Sequence, residues 1–270
     1  MLKKILKFCA FAVAVSVVYL VCLYAVQDDL IFYPDKKYIG PEMAGVGEFE
    51  EKPLVTADGH LIMSWYAKGQ DNKPVILFFH GNAGQIATFA PLLKVYHRAG
   101  YGIFMPEYRS FAYSGGELNE DTMYADAVVA FDFLKNELKK DNIIVFGYSM
   151  GTAPASFLAK ARQPKALVLA APFLSLEKEV ADKPVPLATL VLKNKLESEK
   201  YIAEYENPFL VVHGTGDKLI LPYHGKAMFE LAASKDKKLE LLDGVDHNQL
   251  FFGEDNHQVI LNWLNKHFED

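Results

Sequence analysis

Gly147-Tyr148-Ser149-Met150-Gly151 stands between an apolar run, Asn142 to Phe146, and a stretch of helical composition, Ala153 to Ala161. The apolar run is rich in β-branched residues and does not alternate with polar ones, which indicates a short buried strand. A serine on so tight a turn lifts its hydroxyl out of the sheet, and a side chain in place of either glycine would collide with the neighbouring strand and helix. The stretch predicts a nucleophile elbow at Ser149. The alternative is a glycine-flanked turn with a surface serine.

Composition favours a single domain and excludes nucleic acid as a partner. The chain has 270 residues, of which 51% are hydrophobic, so it can bury one large core. Its net charge is −6 and it has no basic stripe. Both cysteines, Cys9 and Cys22, lie in the N-terminal apolar run, so the rest of the chain offers neither a disulfide nor a thiol nucleophile.

The first 29 residues predict an uncleaved signal anchor. Lys3, Lys4 and Lys7 precede an uncharged run from Phe8 to Val26. At about 1.5 Å per residue this run can cross a hydrocarbon core of about 30 Å, whereas the apolar region of a cleaved signal peptide has about 7–15 residues. A cleaved signal peptide and a buried core helix are the alternatives. The lysines favour a cytoplasmic N-terminus, with the remainder on the periplasmic or extracellular side of the cytoplasmic membrane.

A turn-rich linker is expected over residues 30–47 and one catalytic α/β domain over residues 48–270. Two strands, Phe49–Thr56 and Leu61–Ala67, flank Asp58-Gly59, a strong hairpin signal. From Pro74 onward, apolar strands alternate with helices, which predicts a mostly parallel sheet of eight strands with helices on both faces. The six parallel strands are predicted at Pro74–Phe79, Gly102–Met105, Asn142–Phe146, Ala166–Ala171, Phe209–Val212 and Lys238–Leu242, and Leu30–Pro34 is a separate short extended segment before the hairpin. The predicted helices are Ile86–Arg98, Asp121–Lys139, Ala153–Ala161, Gly225–Ala233 and Gln249–His267.

Three histidines stand at the carboxyl ends of predicted strands, where catalytic groups of open α/β sheets gather. His80 ends the third strand, His213 ends the seventh, and His247 follows the eighth in a glycine-containing loop. A serine nucleophile needs a base, and the chain order serine, acid, histidine favours His247. We expect His80 and His213 to shape their loops. Solvated or capping roles are expected for His224, His257 and His267.

Asp217 is the expected acid, because it lies in a polar, glycine-containing turn directly after the seventh strand. Its carboxylate would hold His247 in the correct tautomer and stabilise the imidazolium. Asp243 and Asp246 are the competing acids, but they are so close to His247 in sequence that they are better explained as turn residues.

An oxyanion hole needs preorganised N–H donors. We expect one from Met150, next after the nucleophile, and the other from the loop His80–Gly84, with Asn82 preferred over Ala83. The alternative is that this loop only turns the chain. It lacks the glycine spacing and the lysine of a phosphate-binding loop.

Five motifs after Phe49 resemble those of the α/β-hydrolase superfamily, in particular a small branch of membrane-anchored bacterial hydrolases related to eukaryotic membrane-associated depalmitoylases. They are H-G-N-A-G (His80–Gly84), Y-R-S-F-A-Y-S-G-G (Tyr108–Gly116), G-Y-S-M-G-T (Gly147–Thr152), H-G-T-G-D (His213–Asp217) and D-H-N (Asp246–Asn248). The resemblance implies a Ser-Asp-His triad that cleaves ester, thioester or sometimes amide bonds without metal or cofactor. The chain departs from the family's usual Asp-Tyr-Arg-Gly-Tyr-Gly loop at Glu107, Ser110 and Ala112.

Residues 173–206 are expected to form a small lid of one or two helices. Within it, Leu187 to Leu192 is either ordinary core or an apolar wall for an acyl chain. The expected function is a membrane-anchored serine hydrolase that cleaves an acyl ester or thioester of a small or lipid-like substrate through an acyl-enzyme. A serine peptidase or amidase with the same triad and a non-catalytic scaffold are the alternatives.

Overall fold

Ten strands build two sheets in the computed structural model, which describes residues 1–268. In chain order they are β1 (Glu50–Glu51), β2 (Leu54–Val55), β3 (Leu61–Ile62), β4 (Ser64–Ala67), β5 (Val75–Phe79), β6 (Gly102–Pro106), β7 (Ile143–Tyr148), β8 (Ala166–Ala170), β9 (Phe209–Gly214) and β10 (Lys237–Leu242). The large sheet has eight strands in the order β1-β4-β6-β5-β7-β8-β9-β10, and β2 pairs with β3 alone. The predicted eight-stranded sheet is confirmed.

The large sheet is mostly parallel. The six strands from β5 to β10 run parallel, whereas β4 pairs antiparallel with both β1 and β6. β7 lies at the centre of the sheet between β5 and β8, with Phe79 opposite Gly147 and Ala170 opposite Tyr148. The parallel register brings the carboxyl ends of these neighbouring strands to one edge, where Ser149 follows β7.

The N-terminal hairpin differs from its prediction, because each of its two long strands is broken. β2 and β3 pair around the expected turn at Asp58-Gly59, but β1 and β4 continue into the large sheet. Pro53, which has no N–H to donate, separates β1 from β2. Met63 separates β3 from β4, and its N–H donates to Ser114 Oγ at 3.0 Å.

Nine α-helices accompany the strands within residues 1–268. They are α1 (Leu2–Ile31), α2 (Ile86–Arg98), α3 (Glu120–Asn136), α4 (Thr152–Arg162), α5 (Leu176–Ala181), α6 (Ser198–Ile202), α7 (Pro222–Leu231), α8 (His247–Phe252) and α9 (Glu254–Phe268). Short 3₁₀ turns occupy Ser149–Gly151 and Ala188–Val191. The prediction of a single helix Gln249–His267 is wrong, because the helix is interrupted at Gly253. A Cβ atom there would lie 2.7 Å from the carbonyl oxygen of Gln249, so only glycine fits this connection.

Helices cover both faces of the large sheet, as predicted. One face packs on α3, α4 and α7 through buried residues such as Phe131, Leu158 and Met228. The other face packs on α2 and α9, with Leu93 and Leu264 fully buried. Because both faces are covered, the parallel strands are continuous apolar runs.

α1 is the only helix within residues 1–268 that is long and apolar enough to cross a membrane, with a mean hydropathy of 2.5 in its most apolar window. Leu30 and Ile31, expected to be extended, instead belong to this helix. Its side chains from Met1 to Val18 are exposed, and the Tyr19 hydroxyl donates to the carbonyl oxygen of Pro186 at 3.0 Å.

Candidate active site

The turn after β7 has the geometry of a nucleophile elbow. Ser149 adopts φ +54°, in the left-handed region that side chains rarely occupy. A Cβ atom on Gly147 would overlap the carbonyl group of Gly151, and one on Gly151 would overlap the carbonyl group of Phe79. Both glycines are therefore steric requirements of the turn.

Ser149, His247 and Asp217 lie within hydrogen-bond distance of one another. His247 Nε2 is 3.0 Å from Ser149 Oγ, and His247 Nδ1 is 2.7 Å from Asp217 Oδ2. All three residues are buried, with 7%, 8% and 2% of their surfaces exposed for Ser149, His247 and Asp217. Because the carboxylate faces Nδ1–H, the lone pair of Nε2 is directed at the serine hydroxyl.

Asp217 is held by donors on both oxygens. Its Oδ1 accepts from the backbone N–H groups of Leu219 and Ile220, each at 2.9 Å. Oδ2 faces His247 and also lies 3.4 Å from His213 Nε2. Burial raises the pKa of Asp217, but the hydrogen bonds from His213 and His247 lower it by more, so the pKa is below its usual value. The carboxylate therefore stays ionised at neutral pH.

The two competing acids have other hydrogen-bond partners. Asp246 caps the N-terminus of α8 by accepting from the N–H of Gln249 at 2.8 Å. Asp243 accepts from Thr215 Oγ1 at 3.2 Å on the surface. These contacts explain both residues as loop and cap residues.

The expected oxyanion donors, Met150 and Asn82, both border the cavity in front of the serine. The carboxamide of Asn82 is already engaged, because its Oδ1 accepts from Tyr33 N at 3.0 Å and its Nδ2 donates to the carbonyl oxygen of Ile31. The backbone N–H of Asn82 is thus its candidate donor. Among the described residues that line this cavity, Asn82 is present and Ala83 is not.

A buried pair missed by the sequence interpretation fixes the loop that carries Asn82. His80 Nε2 lies 2.6 Å from Glu107 Oε1, and both side chains are fully buried. His80 Nδ1 faces the carbonyl oxygen of Gly81 at 2.7 Å, and Glu107 Oε2 accepts from Ile86 N at 2.8 Å. Glu107, noted only as a departure from the family pattern, thereby ties β6 to the start of α2.

The other two departures lie where the family has glycines, and the backbone there still adopts positive φ. Ser110 has φ +67° and Ala112 has φ +40°. The neighbouring Arg109 anchors this loop through bidentate contacts, at 2.7–2.9 Å, with Asp58 and with Asp126. These ion pairs offset the strain of two non-glycine residues in the left-handed region.

Two of the remaining histidines are buried, which corrects their expected solvated role. His224 Nε2 lies 3.0 Å from Asp182 Oδ2, and His257 Nδ1 lies 2.9 Å from the hydroxyl of Tyr96. Burial lowers the pKa of both imidazoles, so both are neutral packing residues. His213, expected to be structural, is fully buried and contacts Asp217.

Ser149 opens into a cavity of about 410 Å³ with mostly aliphatic walls. The charged residues in its lining, Glu179 and Lys183, pair with each other at 2.9 Å. Gln27 of α1 also lines it, and its carboxamide is hydrogen-bonded to the backbone of Val191 and Lys193. Over residues 1–268, no cluster of three or more His, Cys, Asp or Glu side chains is arranged to hold a metal ion.

Comparisons with known proteins agree with the fold. Residues 70–204 match the family model described as serine aminopeptidase, S33. An uncharacterized protein of Mycobacterium tuberculosis is 30% identical over 232 residues, covering 84% of this chain and 82% of that protein. Protein bem46 of Schizosaccharomyces pombe is 26% identical, with coverage of 97% and 93%. An uncharacterized membrane protein of Saccharomyces cerevisiae is 26% identical, with coverage of 98% of each chain.

Among solved structures, an esterase of Pyrococcus furiosus has the same fold. Its TM-score is 0.74 at 17% identity, covering 89% of this chain and 99% of the esterase. The family match spans half of the chain, and the predicted family membership is confirmed. With its elbow serine at the carboxyl edge of a mostly parallel eight-stranded sheet, the chain belongs to the α/β-hydrolases of the serine aminopeptidase S33 family and is a hydrolase.

Proposed function

We propose that this protein is a membrane-anchored serine hydrolase that cleaves an acyl ester or thioester. The observation that carries the proposal is the position of Ser149 Oγ. It lies 3.0 Å from His247 Nε2 and opens into the aliphatic cavity. An acyl group bound in that cavity would present its carbonyl carbon to the serine oxygen.

The chemistry follows from the order of contacts. Ser149 Oγ attacks the carbonyl carbon while His247 Nε2 takes the hydroxyl proton, and Asp217 stabilises the resulting imidazolium. The proton then passes from Nε2 to the leaving alcohol or thiol, which leaves an acyl-enzyme on Ser149. Water, deprotonated by the same nitrogen, attacks the acyl-enzyme and releases the carboxylic acid and free serine.

The negative charge on the carbonyl oxygen needs donors already in place. We assign this role to the backbone N–H groups of Met150 and Asn82. Both residues border the cavity beside the serine, and the His80–Glu107 pair fixes the loop that carries Asn82. Loss of one such donor typically lowers kcat by about 10²–10³-fold.

An amidase is the second candidate, because the matched family model is described as serine aminopeptidase. An aminopeptidase needs a carboxylate that can bind the α-amino group of its substrate. Glu179 is the carboxylate in the cavity lining, and Lys183 neutralises it at 2.9 Å. This ion pair and the aliphatic walls favour an acyl chain over a charged peptide terminus.

The membrane part of the proposal rests on α1. Its length and hydropathy suit a single span, and Lys3, Lys4 and Lys7 on its N-terminal side favour a cytoplasmic N-terminus. The catalytic domain from residue 48 onward, with a lid over 173–206, would then lie on the non-cytoplasmic side, joined to α1 by residues 30–47. Alkaline carbonate extraction tests the anchor, which predicts that the protein stays in the membrane pellet.

A fluorophosphonate probe tests the chemistry, because it labels only an activated serine. We expect the wild type to be labelled and Ser149→Ala to remain unlabelled with an unchanged circular dichroism spectrum. Ser156→Ala, which removes a buried hydroxyl without a hydrogen-bond partner on α4, is the matched control and should label like the wild type. An unlabelled but folded wild type would refute the enzyme proposal.

A further inference from the structure

The C-terminal end of α1 forms one wall of the cavity. Leu23, Gln27, Leu30 and Ile31 line it, and their spacing of four, three and one residues places them along one face of the helix. From Leu23 to Ile31 this face extends about 12 Å at 1.5 Å per residue. The predicted membrane helix is thus continuous with the wall of the active-site cavity.

This end of α1 is fixed to the lid by polar contacts around the buried Gln27 side chain. Gln27, only 5% exposed, donates to the carbonyl oxygen of Val191 at 2.9 Å and accepts from the N–H of Lys193 at 2.7 Å. Asp28 accepts from Lys193 Nζ and from Asn194 Nδ2, each at 2.9 Å. Several hydrogen bonds in one helical turn therefore hold the cavity-lining end of α1 in a defined position.

A second set of contacts fixes the same helix end to the catalytic loop. Asn82, whose backbone N–H we assign to the oxyanion hole, binds the carbonyl oxygen of Ile31 and the N–H of Tyr33. The position of α1 is therefore coupled to both the lid and the oxyanion loop.

Another part of the wall comes from the lid and is aliphatic. Val180, Val191 and Leu192 line it, and the charges in the lining are paired. A cavity lined by leucine, isoleucine and valine side chains suits an unbranched hydrocarbon chain. Each methylene buried there contributes about 0.8 kcal/mol, or about fourfold in kcat/KM at most.

We infer that the cavity between α1 and the lid binds a long, unbranched acyl chain and that Leu23 of α1 is a specificity-determining residue for chain length. This inference rests on the proposed function. α1 thus has two roles, because the helix that inserts in the membrane also selects the acyl group that reaches Ser149.

The test compares p-nitrophenyl acetate, octanoate and palmitate as substrates of the full-length protein in detergent micelles. We expect kcat/KM of the wild type to increase from acetate to palmitate. Leu23→Trp narrows the cavity and should lower kcat/KM for palmitate at least tenfold while acetate turnover stays within twofold. Val26→Trp, on the exposed side of α1, is the matched control and should leave both rates unchanged.

Retained acetate turnover shows that a variant is folded and active. If Leu23→Trp loses acetate turnover as well, Leu192→Trp, in the lid part of the wall, provides the second test with the same expected selectivity. An unchanged preference for palmitate in both variants, or an equal loss on all three esters in both, would overturn the role of the cavity. A wild type that hydrolyses none of the esters would instead refute the proposed function, and the inference with it.

Discussion

The hydroxyl of Tyr148 donates a hydrogen bond to the backbone carbonyl oxygen of His247 at 3.0 Å, although the two residues are 99 positions apart. Tyr148 is 3% exposed, and its ring stacks on Phe251 of α8 with the ring centroids 4.6 Å apart. The residue before Ser149 thereby contacts His247, the first residue of α8. This link between β7 and α8 positions His247 relative to Ser149.

We predict that Tyr148→Phe lowers kcat by about threefold to tenfold and the free energy of unfolding by about 1 kcal/mol, because the ring contact remains and the hydrogen bond is lost. Steady-state kinetics and urea unfolding measure the two effects. Tyr205→Phe is the matched control, since it removes a buried hydroxyl bond to Pro164 far from the site. It should lose similar stability with kcat unchanged. Equal kinetics in the two variants would show that the Tyr148 bond does not position the base.

Asp217→Asn should lower kcat by about 10³–10⁴-fold while leaving the fold intact. The amide cannot stabilise the imidazolium and favours the wrong tautomer of His247, and a loss of this size is typical when the acid of a Ser-His-Asp triad is replaced by its amide. Asp243→Asn, at a surface carboxylate that accepts from Thr215, is the control and should keep normal activity. If the Asp243 variant lost activity and the Asp217 variant did not, the acid would have to be reassigned.

The lowered pKa of Asp217 gives a stability prediction with a defined sign. Burial raises that pKa, but the hydrogen bonds from His213 and His247 lower it more, so the ionised form is favoured in the folded state. The stabilisation is complete above the ordinary value of about 3.9 and is lost as pH falls through the folded pKa. Urea unfolding should show that wild type is more stable than Asp217→Asn at about pH 6 and that the difference shrinks as pH falls below about 5. A difference that grows on acidification would contradict the assignment.

Much of the fold could be predicted because it follows from local patterns. The continuous apolar strands, the Asp58-Gly59 turn and the Gly147–Gly151 elbow each depend on residues close in sequence. Ser149, Asp217 and His247 could also be predicted to lie at one edge of the sheet, because each follows the carboxyl end of a predicted parallel strand. The structure places these three side chains within hydrogen-bond distance.

The parts that were missed depend on contacts between distant segments. Leu30 and Ile31 were expected to be extended, and they are helical because Asn82 and Lys193 form hydrogen bonds with the end of α1. Glu107 was noted only as a departure, since the sequence does not show that its partner is His80 at the end of the neighbouring strand. The break at Gly253 could have been suspected from the glycine itself, because glycine is unfavourable within a helix.

Breaking the His80–Glu107 pair should be costly. Glu107→Gln removes the carboxylate partner of a buried imidazole, and we predict a loss of about 1–3 kcal/mol in the free energy of unfolding. Activity should also fall, because the pair fixes the loop that carries Asn82. Glu117→Gln, at an exposed carboxylate on the following turn, is the control and should change stability by less than about 0.5 kcal/mol. Matching unfolding curves for the two variants would contradict a structural role for the pair.

The elbow itself gives the last prediction. Gly151→Ala places a Cβ atom against the carbonyl group of Phe79, and this neighbour is backbone that cannot rotate away. We expect a loss of more than about 3 kcal/mol in the free energy of unfolding, at the upper end of overpacking effects, because β5 and α4 must move apart. Gly47→Ala is the matched control, since its Cβ would meet only the Glu42 side chain at 3.8 Å, an ordinary contact. Thermal unfolding of the detergent-solubilised proteins measures both. A Gly151→Ala variant as stable as the Gly47→Ala variant would show that the turn at Ser149 can relax. Ser149 would then keep its positive φ without the close approach of β5 to Gly151.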